Sequence, residues 1–200
     1  FLFKKLVRDH SFHPMIVPQL VKERVLYGTS HFPEGKDQIY KIENDNVEEG
    51  QELYLVGSSE PPLFAYWMDR IIPEDKLPYR MCAITSCFRS EVGSWGKDVK
   101  GIKRVHQFDK LEIDVVCAPE QSSKVFDELL EINEWFYQQL ELPYHQILKC
   151  TGDSGYQASH KQIDNEVWLP VQQEYIEVGT DTNATDFQAR RLNIKVQYRD

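Results

Sequence analysis

Two residues of opposite charge, Arg89 and Glu91, follow a largely apolar stretch at 81–88. Residues two positions apart lie on the same face of an extended strand. A charged pair that ends an apolar strand requires a ligand or a partner, because burying an unpaired charge is costly. A guanidinium group also matches phosphate oxygens through two parallel N–H donors. The pair therefore indicates a ligand or a partner, and phosphate is one group that the arginine suits.

A second charged stretch, at 104–112, alternates between two faces of a predicted strand. One face carries Arg104, His106, Phe108, Lys110 and Glu112, and the other carries Val105, Leu111, Ile113 and Val115, interrupted by Gln107 and Asp109. An ordinary half-exposed strand also places charges on its outer face, so this stretch alone leaves both interpretations open. Together with the first pair, it predicts two antiparallel strands that form a nucleotide platform, with an aromatic ring available to stack on a purine.

The glycine pattern does not supply a phosphate-binding loop. A Walker loop requires G-x-x-x-x-G-K-[ST], but around Gly96-Lys97 the first glycine is replaced by Glu91 and the final Ser or Thr by Asp98. A dinucleotide-binding fingerprint is absent from the sequence. The nucleotide prediction therefore rests on the faces of the two strands.

The four cysteines and six histidines show no spacing typical of a metal site. Cys82 and Cys87 are an odd number of positions apart on a predicted strand, so they face opposite sides. We expect buried free thiols and no structural metal.

The elements that position these residues follow from hydrophobic periodicity and from turn signals. Helices are predicted at 1–10, at 19–27 (weakly), at 62–70, around Val125, Leu129, Ile132, Phe136 and Leu140, and at 186–192 as a helix or turn. Strands are predicted at 39–42, 53–56, 79–89, 103–116, 145–149, 165–169 and 175–178, with a loop carrying Gly93, Gly96 and Gly101 between the two longest. This order predicts an α+β fold, with a mainly antiparallel sheet packed against helices.

Length and charge limit the possible functions. The chain of 200 residues suits one domain. A net charge of −9 argues against broad electrostatic binding of nucleic acid. No apolar run approaches the roughly 20 residues that a membrane span requires, so we expect no membrane partner and a location in the cytoplasm or an organelle matrix.

The two long strands also carry a family resemblance. The sequence TSCFRSE at 85–91, followed by GIKRVHQFDKLE at 101–112, resembles the second signature motif of seryl-tRNA synthetases. Agreement continues in family order at 28–33, in LPYR at 77–80, TGD at 151–153, EVWLP at 166–170 and DFQARR at 186–191. The resemblance implies a class II aminoacyl-tRNA synthetase catalytic core: an antiparallel sheet flanked by helices, with residues 1–200 forming part of that core.

The resemblance also implies roles for individual residues. In the ATP site, Arg89 holds the α-phosphate and the amino acid carboxylate, Arg104 grips the γ-phosphate, Glu91 reads the adenine, Phe108 stacks on it, and Val105 completes the site. For the amino acid, Glu112 binds the amino and hydroxyl groups, while Ser58 and Glu60 stand where the family has Thr-Ser-Glu. Glu177 holds Mg²⁺, with Thr180 where the family commonly has a metal-binding Ser. Arg89, Arg104 and Glu177 are the implied catalytic residues.

The implied reaction is activation of serine by ATP to seryl-adenylate, followed by transfer to the 3′-end of tRNA(Ser). The implied partners are serine, ATP and tRNA(Ser), the last bound mainly by regions outside these residues. The resemblance also implies a homodimer formed through the first signature motif, at Pro18.

Some positions depart from the family pattern. Gly57 and Ser58 replace Pro and Thr, and GTDTN at 179–183 stands where the family usually reads SSCSN. Asp181 is expected to add a negative charge beside the metal site. These departures leave open a class II paralogue that activates another amino acid.

A non-catalytic binding or regulatory subunit is a further alternative, because the third signature motif and the N-terminal tRNA-binding hairpin are absent from residues 1–200. We favour a fragment of a synthetase over a reduced paralogue, because a sheet without its closing elements packs poorly.

Overall fold

The computed structural model describes residues 1–48, 50–92, 103–152, 154 and 159–198. The chain divides into two compact units. The first comprises Phe3–Val116 and Gln188–Asp200 together with Phe1, and the second comprises Cys117–Phe187 together with Leu2. The predicted glycine loop at 93–101 lies outside the described residues.

Helices and strands alternate along most of the chain. The helices are α1 (Leu2–Asp9), α2 (Glu23–Gly28), α3 (Glu60–Ala65), α4 (Ser122–Gln139) and α5 (Phe187–Arg191), with 3₁₀ turns at Lys36–Gln38, Glu74–Lys76 and Pro119–Gln121. The strands are β1 (His13–Pro14), β2 (Leu20–Lys22), β3 (Leu53–Leu55), β4 (Ile71–Pro73), β5 (Tyr79–Phe88), β6 (Gln107–Val116), β7 (Tyr144–Leu148), β8 (Lys161–Leu169), β9 (Glu174–Asn183) and β10 (Lys195–Gln197).

The longest ladder of the first unit joins β5 and β6. The two strands are antiparallel from the pair Tyr79↔Val116 to the pair Phe88↔Gln107, and β1 adds to β5 in parallel. Helix α3 packs on this ladder, where Leu63 contacts Met81 and Ala83 in one buried cluster. Burying these apolar side chains fixes which face of the ladder points toward α3.

Two shorter ladders complete the first unit. Strands β2 and β3 pair antiparallel, whereas β4 and β10 pair in parallel. Gly28 ends α2 against Leu192, whose Cδ2 would lie only 2.2 Å from a Cβ at this position. A side chain at residue 28 would therefore displace the buried Leu192.

The second unit is a three-stranded antiparallel sheet with one long helix. Strands lie in the order β7-β8-β9. Helix α4 buries Val125, Phe126, Ile132 and Tyr137. The predicted helix is confirmed, but Leu140 from the predicted stripe is 46% exposed.

Several predicted elements differ in the structure. The predicted helix at 19–27 begins only at Glu23, because Val21 pairs with Tyr54 across β2 and β3. The prediction of a strand at 39–42 is wrong, because this segment makes only one isolated antiparallel bridge, between Lys41 and Tyr54. At Val21, pairing with a distant segment decides the outcome, and local pattern does not encode it.

Among the residues described, no helix is long and apolar enough to cross a membrane.

Candidate functional site

The β5–β6 ladder gathers most of the predicted site residues. On β6, Phe108, Lys110 and Glu112 alternate with the other face, as predicted, and the ladder pairs Phe108 with Cys87. Arg89 lies just beyond the end of β5, where its backbone N–H donates to the His106 carbonyl at 3.0 Å. Arg104 and His106 precede β6, which begins at Gln107 rather than at 103 as predicted.

Arg89 is held over the predicted stacking residue. Its Nε donates to the carbonyl of Gly57 at 3.2 Å, and its Cζ lies 5.2 Å from the ring centroid of Phe108. Within the described residues, its terminal NH₂ groups make no hydrogen bond. They remain available to an anion, in the fork geometry that suits phosphate or carboxylate.

Glu91 and Arg104 form an ion pair. Arg104 Nη1 lies 2.7 Å from Glu91 Oε2, with the glutamate side chain 13% exposed and the arginine 47% exposed. Glu91 adopts a left-handed φ of 52°, uncommon for a residue with a side chain. The half-buried Val105 follows directly on Arg104.

Ser58, Lys110 and Glu112 form a compact hydrogen-bonded cluster. Lys110 Nζ lies 2.7 Å from Glu112 Oε2 and donates to Ser58 Oγ at 2.9 Å. The Ser58 hydroxyl donates to the same Glu112 carboxylate. Burial lowers the pKa of Lys110, but the charge and hydrogen bond of Glu112 outweigh that effect and raise it above its ordinary value. Lys110 therefore carries a positive charge in this cluster.

Glu60 begins α3 close to the same cluster. Its backbone N–H lies 3.4 Å from Ser58 Oγ, and its carboxylate accepts a hydrogen bond from Gln188 Nε2. Gln188 belongs to the DFQARR motif. The hydrogen bond ties that motif to the Ser58-Ser59-Glu60 segment, a link that strand periodicity could not predict.

Asp114 is a buried acid that the sequence interpretation missed. It follows Glu112 on the same face of β6, pairs with Met81 across the ladder, and is 8% exposed. Its Oδ2 has no hydrogen-bond partner among the described residues. Burial raises its pKa well above the ordinary value, and the negative charges of Glu112 and Glu60 add to the shift. Strand alternation did not mark it, because Asp114 continues the polar face that carries Lys110 and Glu112.

Glu177 and Thr180 lie together in the second unit. A residue and the third one after it face opposite sides of a regular strand. Here Glu177 pairs with Glu166 while Gly179 pairs with Asn165, so Val178 forms a bulge and the two side chains share one face. Thr180 Oγ1 lies 3.1 Å from Glu177 Oε1. The predicted pair is therefore brought together by an irregularity that periodicity does not show.

Asp164 joins this pair and was not predicted. Its Oδ1 lies 2.9 Å from Thr180 Oγ1, and its Oδ2 lies 2.9 Å from Lys149 Nζ. Two carboxylates and a hydroxyl are the hard oxygen donors that Mg²⁺ prefers, usually completed by water and substrate phosphates. These residues therefore supply the kind of oxygen donors that suit a magnesium ion. Among the described residues, no three His, Cys, Asp or Glu side chains form a metal cage.

The expectation for Asp181 is wrong. Its side chain does not lie beside the Glu177–Thr180 pair, because neighbouring residues of a strand face opposite sides. Instead it is 8% exposed and faces α4, where Asn133 Nδ2 lies 2.9 and 2.8 Å from its two oxygens. Gly179 also faces α4, because a Cβ there would lie 3.3 Å from Tyr137 Oη.

Comparisons with known proteins show the family to which the chain belongs. Residues 40–200 match the model of the tRNA synthetase class II core domain (G, H, P, S and T). The serine–tRNA ligase of Nautilia profundicola is 42% identical over 193 residues, which cover 96% of this chain and 44% of the relative. That of Sulfurihydrogenibium sp. is 42% identical over 200 residues, covering 100% of this chain and 46% of the relative.

Solved structures show the same likeness. The seryl-tRNA synthetase from Pyrococcus horikoshii complexed with ATP has a TM-score of 0.91 at 38% identity, covering 99% of this chain and 42% of that one. The cytoplasmic enzyme from Naegleria fowleri in complex with AMP has a TM-score of 0.87 at 32% identity, covering 98% and 45%.

The chain thus spans less than half the length of these relatives, at 44% and 46% of the two ligases. The resemblance to seryl-tRNA synthetases and the predicted α+β fold are both confirmed. The chain belongs to the family of the tRNA synthetase class II core domain (G, H, P, S and T).

Proposed function

We propose that residues 1–200 form part of the catalytic core of a serine–tRNA ligase. The observation that carries the proposal is the hydrogen-bonded cluster of Ser58, Lys110 and Glu112. It lies in the same unit as Arg89, whose terminal NH₂ groups are available to an anion. The proposed enzyme activates serine with ATP and transfers it to the 3′-end of tRNA(Ser). Identity of 42% to serine–tRNA ligases over nearly the whole chain supports serine as the amino acid.

The nucleotide is proposed to bind along the end of the β5–β6 ladder. The terminal NH₂ groups of Arg89 receive the α-phosphate, and the Phe108 ring beneath them stacks on the adenine. The ion pair between Arg104 and Glu91 breaks when the nucleotide binds. Arg104 then binds the γ-phosphate, Glu91 binds the edge of the adenine, and Val105 makes an apolar contact with the nucleotide. Because the Glu91 side chain is only 13% exposed, its carboxylate needs the adenine edge as a partner in place of Arg104.

Serine is proposed to bind at the Glu112 cluster. The Glu112 carboxylate accepts hydrogen bonds from the serine ammonium and hydroxyl groups, in place of those it now accepts from Ser58 and Lys110. Ser58, which precedes α3, and Glu60, its first residue, close the site. Arg89 receives the serine carboxylate, which places the attacking oxygen beside the α-phosphate.

Activation is an in-line displacement. A serine carboxylate oxygen bonds to the α-phosphorus, the bond to the bridging oxygen breaks, and pyrophosphate leaves with that electron pair. Arg89 and Arg104 stabilise the charge on the phosphate oxygens, so no side chain needs to act as a nucleophile. Glu177 and Thr180 would hold magnesium, which would supply further positive charge to phosphate oxygens.

Transfer follows as a second displacement. The 3′-terminal hydroxyl of tRNA(Ser) attacks the seryl carbonyl, and AMP leaves. We propose that the tRNA is bound mainly by regions outside these residues and that two copies associate through the Pro18 region. Because the reaction needs ATP and tRNA, we place the protein in the cytoplasm or an organelle matrix.

Serine-dependent ATP–pyrophosphate exchange tests the proposal, using the protein at its full natural length. We expect exchange with serine and none with the other amino acids above background. Exchange with a different amino acid would favour the paralogue alternative, and binding of ATP without any exchange would favour a non-catalytic subunit. Because Gly179 and Asp181 face α4, they no longer motivate the paralogue alternative.

A further inference from the structure

The bulge at Val178 is backed by a buried polar network on the opposite face of β9. Asp181 is 8% exposed and Asn165 is fully buried. Asn165 Nδ2 donates to Asp181 Oδ2 at 2.7 Å, and its Oδ1 accepts from Gln146 Nε2 at 2.9 Å. Asn133 supplies further donation to Asp181 from α4. The network therefore connects β7, β8, β9 and α4.

The network meets the sheet where its register changes. Asn165 is the residue of β8 that pairs with Gly179 on one side of the bulge, and its neighbour Glu166 pairs with Glu177 on the other side. The amide of Asn165 thus links the bulge to the Asp181 carboxylate two residues further along β9. If Asn165 moved relative to Asp181, the pairing of β8 with β9 at the bulge would shift as well.

Register determines whether the oxygen donors converge. A shift of one residue turns every side chain of a strand to the opposite face. If Val178 were drawn into regular pairing, Glu177 and Thr180 would face opposite sides. The 3.1 Å contact between them therefore requires the bulge.

Holding a strand with a buried carboxylate is costly, because the charge loses its hydration. Apolar residues of similar volume often stabilise a fold as well or better, whereas a fully satisfied polar network specifies one arrangement. Three donated contacts satisfy Asp181 here, at 2.9, 2.8 and 2.7 Å. Its geometry therefore favours a role in selecting the register over a role in stability alone.

We propose that Asn133, Asn165 and Asp181 are positioning residues that hold the β9 bulge and so keep Glu177 and Thr180 on one face for a magnesium–nucleotide ligand. That these residues hold the bulge is inferred from the fold alone, whereas binding of a magnesium–nucleotide ligand rests on the proposed function.

The primary variant is Asp181→Asn, which preserves shape but places an amide donor against the amides of Asn133 and Asn165. Residues that orient metal ligands indirectly typically change affinity or activity by about 10- to 100-fold. We expect the Mg²⁺ concentration for half-maximal ATP–pyrophosphate exchange to rise within about that range, with little change in the KM for serine. Asn133→Ala, which removes only the α4 donor, should act in the same direction if the first variant fails to fold.

Two matched variants separate positioning from general loss of stability. Asn183→Ala removes a contact between β9 and Ser122 of α4 on the same face, but further from the bulge. It should lower the melting temperature without changing the Mg²⁺ dependence. Combining Asn133→Asp with Asp181→Asn restores donor and acceptor with exchanged partners, and should recover the Mg²⁺ dependence to within about 3-fold of the original.

Amide hydrogen exchange without magnesium or nucleotide provides a readout independent of activity. Faster exchange at 176–180 in the Asp181→Asn protein, and not in the Asn183→Ala protein, is expected. Unchanged exchange there would overturn the inference, as would equal Mg²⁺ dependence in the two variants. If the unaltered protein lacks serine-dependent exchange, the proposed function fails, and the hydrogen-exchange comparison still decides whether the network holds the bulge.

Discussion

The two ladders that carry the candidate residues gather them in different ways. On β5–β6, a regular antiparallel register places Phe108, Lys110 and Glu112 on one face by simple alternation. On β9, Glu177 and Thr180 share a face only because the register changes between them. On β5–β6, a change at one residue leaves the faces of the other side chains unaltered, because the alternation is regular. On β9, the shared face depends on the bulge, and therefore on the network of Asn133, Asn165 and Asp181 on the opposite face.

The largest effect is expected at the end of the β5–β6 ladder, from Arg89→Lys. Lysine keeps the charge but loses the planar fork that can bind α-phosphate and carboxylate together. Loss of one preorganised donor group typically lowers kcat by about 100- to 1,000-fold, and we expect that loss in serine-dependent exchange. Arg24→Ala is the control, because Arg24 makes an exposed ion pair with Asp69. Equal losses in both variants would contradict the assignment.

A smaller effect is expected from Glu112→Gln. Gln is uncharged and cannot balance both Lys110 and the serine ammonium group, so binding of serine should suffer more than binding of ATP. We expect the KM for serine to rise by about 10- to 100-fold, consistent with loss of a charged hydrogen bond. Steady-state kinetics with each substrate varied would test this. A rise confined to the KM for ATP would place Glu112 in the nucleotide site instead.

These contrasts explain what the sequence could and could not predict. Alternation along 104–112 and the order of strands and helices were sufficient for the β5–β6 ladder and for the α+β fold. Val178 carries no sign of a bulge, since a valine fits a regular strand equally well. The partners of Asp181 lie 16 and 48 residues away, on β8 and α4. Contacts of that separation depend on the assembled fold.

Asp114 sharpens the comparison, because it is a buried acid whose Oδ2 meets no hydrogen-bond donor among the described residues, unlike the oxygens of Asp181. Its pKa is raised by burial and by Glu112 and Glu60. The folded state therefore holds its proton more tightly than the unfolded state does. The resulting stabilisation is complete below the unfolded pKa, about 3.9, and is lost as the pH rises toward the raised folded pKa.

The test is Asp114→Asn, which cannot titrate. We expect this variant to become progressively more stable than the original protein as the pH rises from 4 to 8, measured as the difference in thermal unfolding across that range. Asp109→Asn, at an exposed position of the same strand that accepts from Ser86, is the matched control. A constant difference across the pH range would show that Asp114 does not carry the pH dependence.

The smallest effect is expected from Gly179→Ala, next to the bulge. The new Cβ would lie 3.3 Å from Tyr137 Oη, so α4 or the tyrosine must give way by a few tenths of an ångström. Overpacking of a core costs about 1–3 kcal/mol, and we expect a loss of free energy of unfolding near the lower limit. Adding Tyr137→Phe removes the opposing hydroxyl and should recover most of that loss. If the double variant is no more stable than Gly179→Ala alone, close packing of α4 on the bulge does not explain the glycine. The bulge of β9 would then tolerate an added side chain as the regular β5–β6 ladder does.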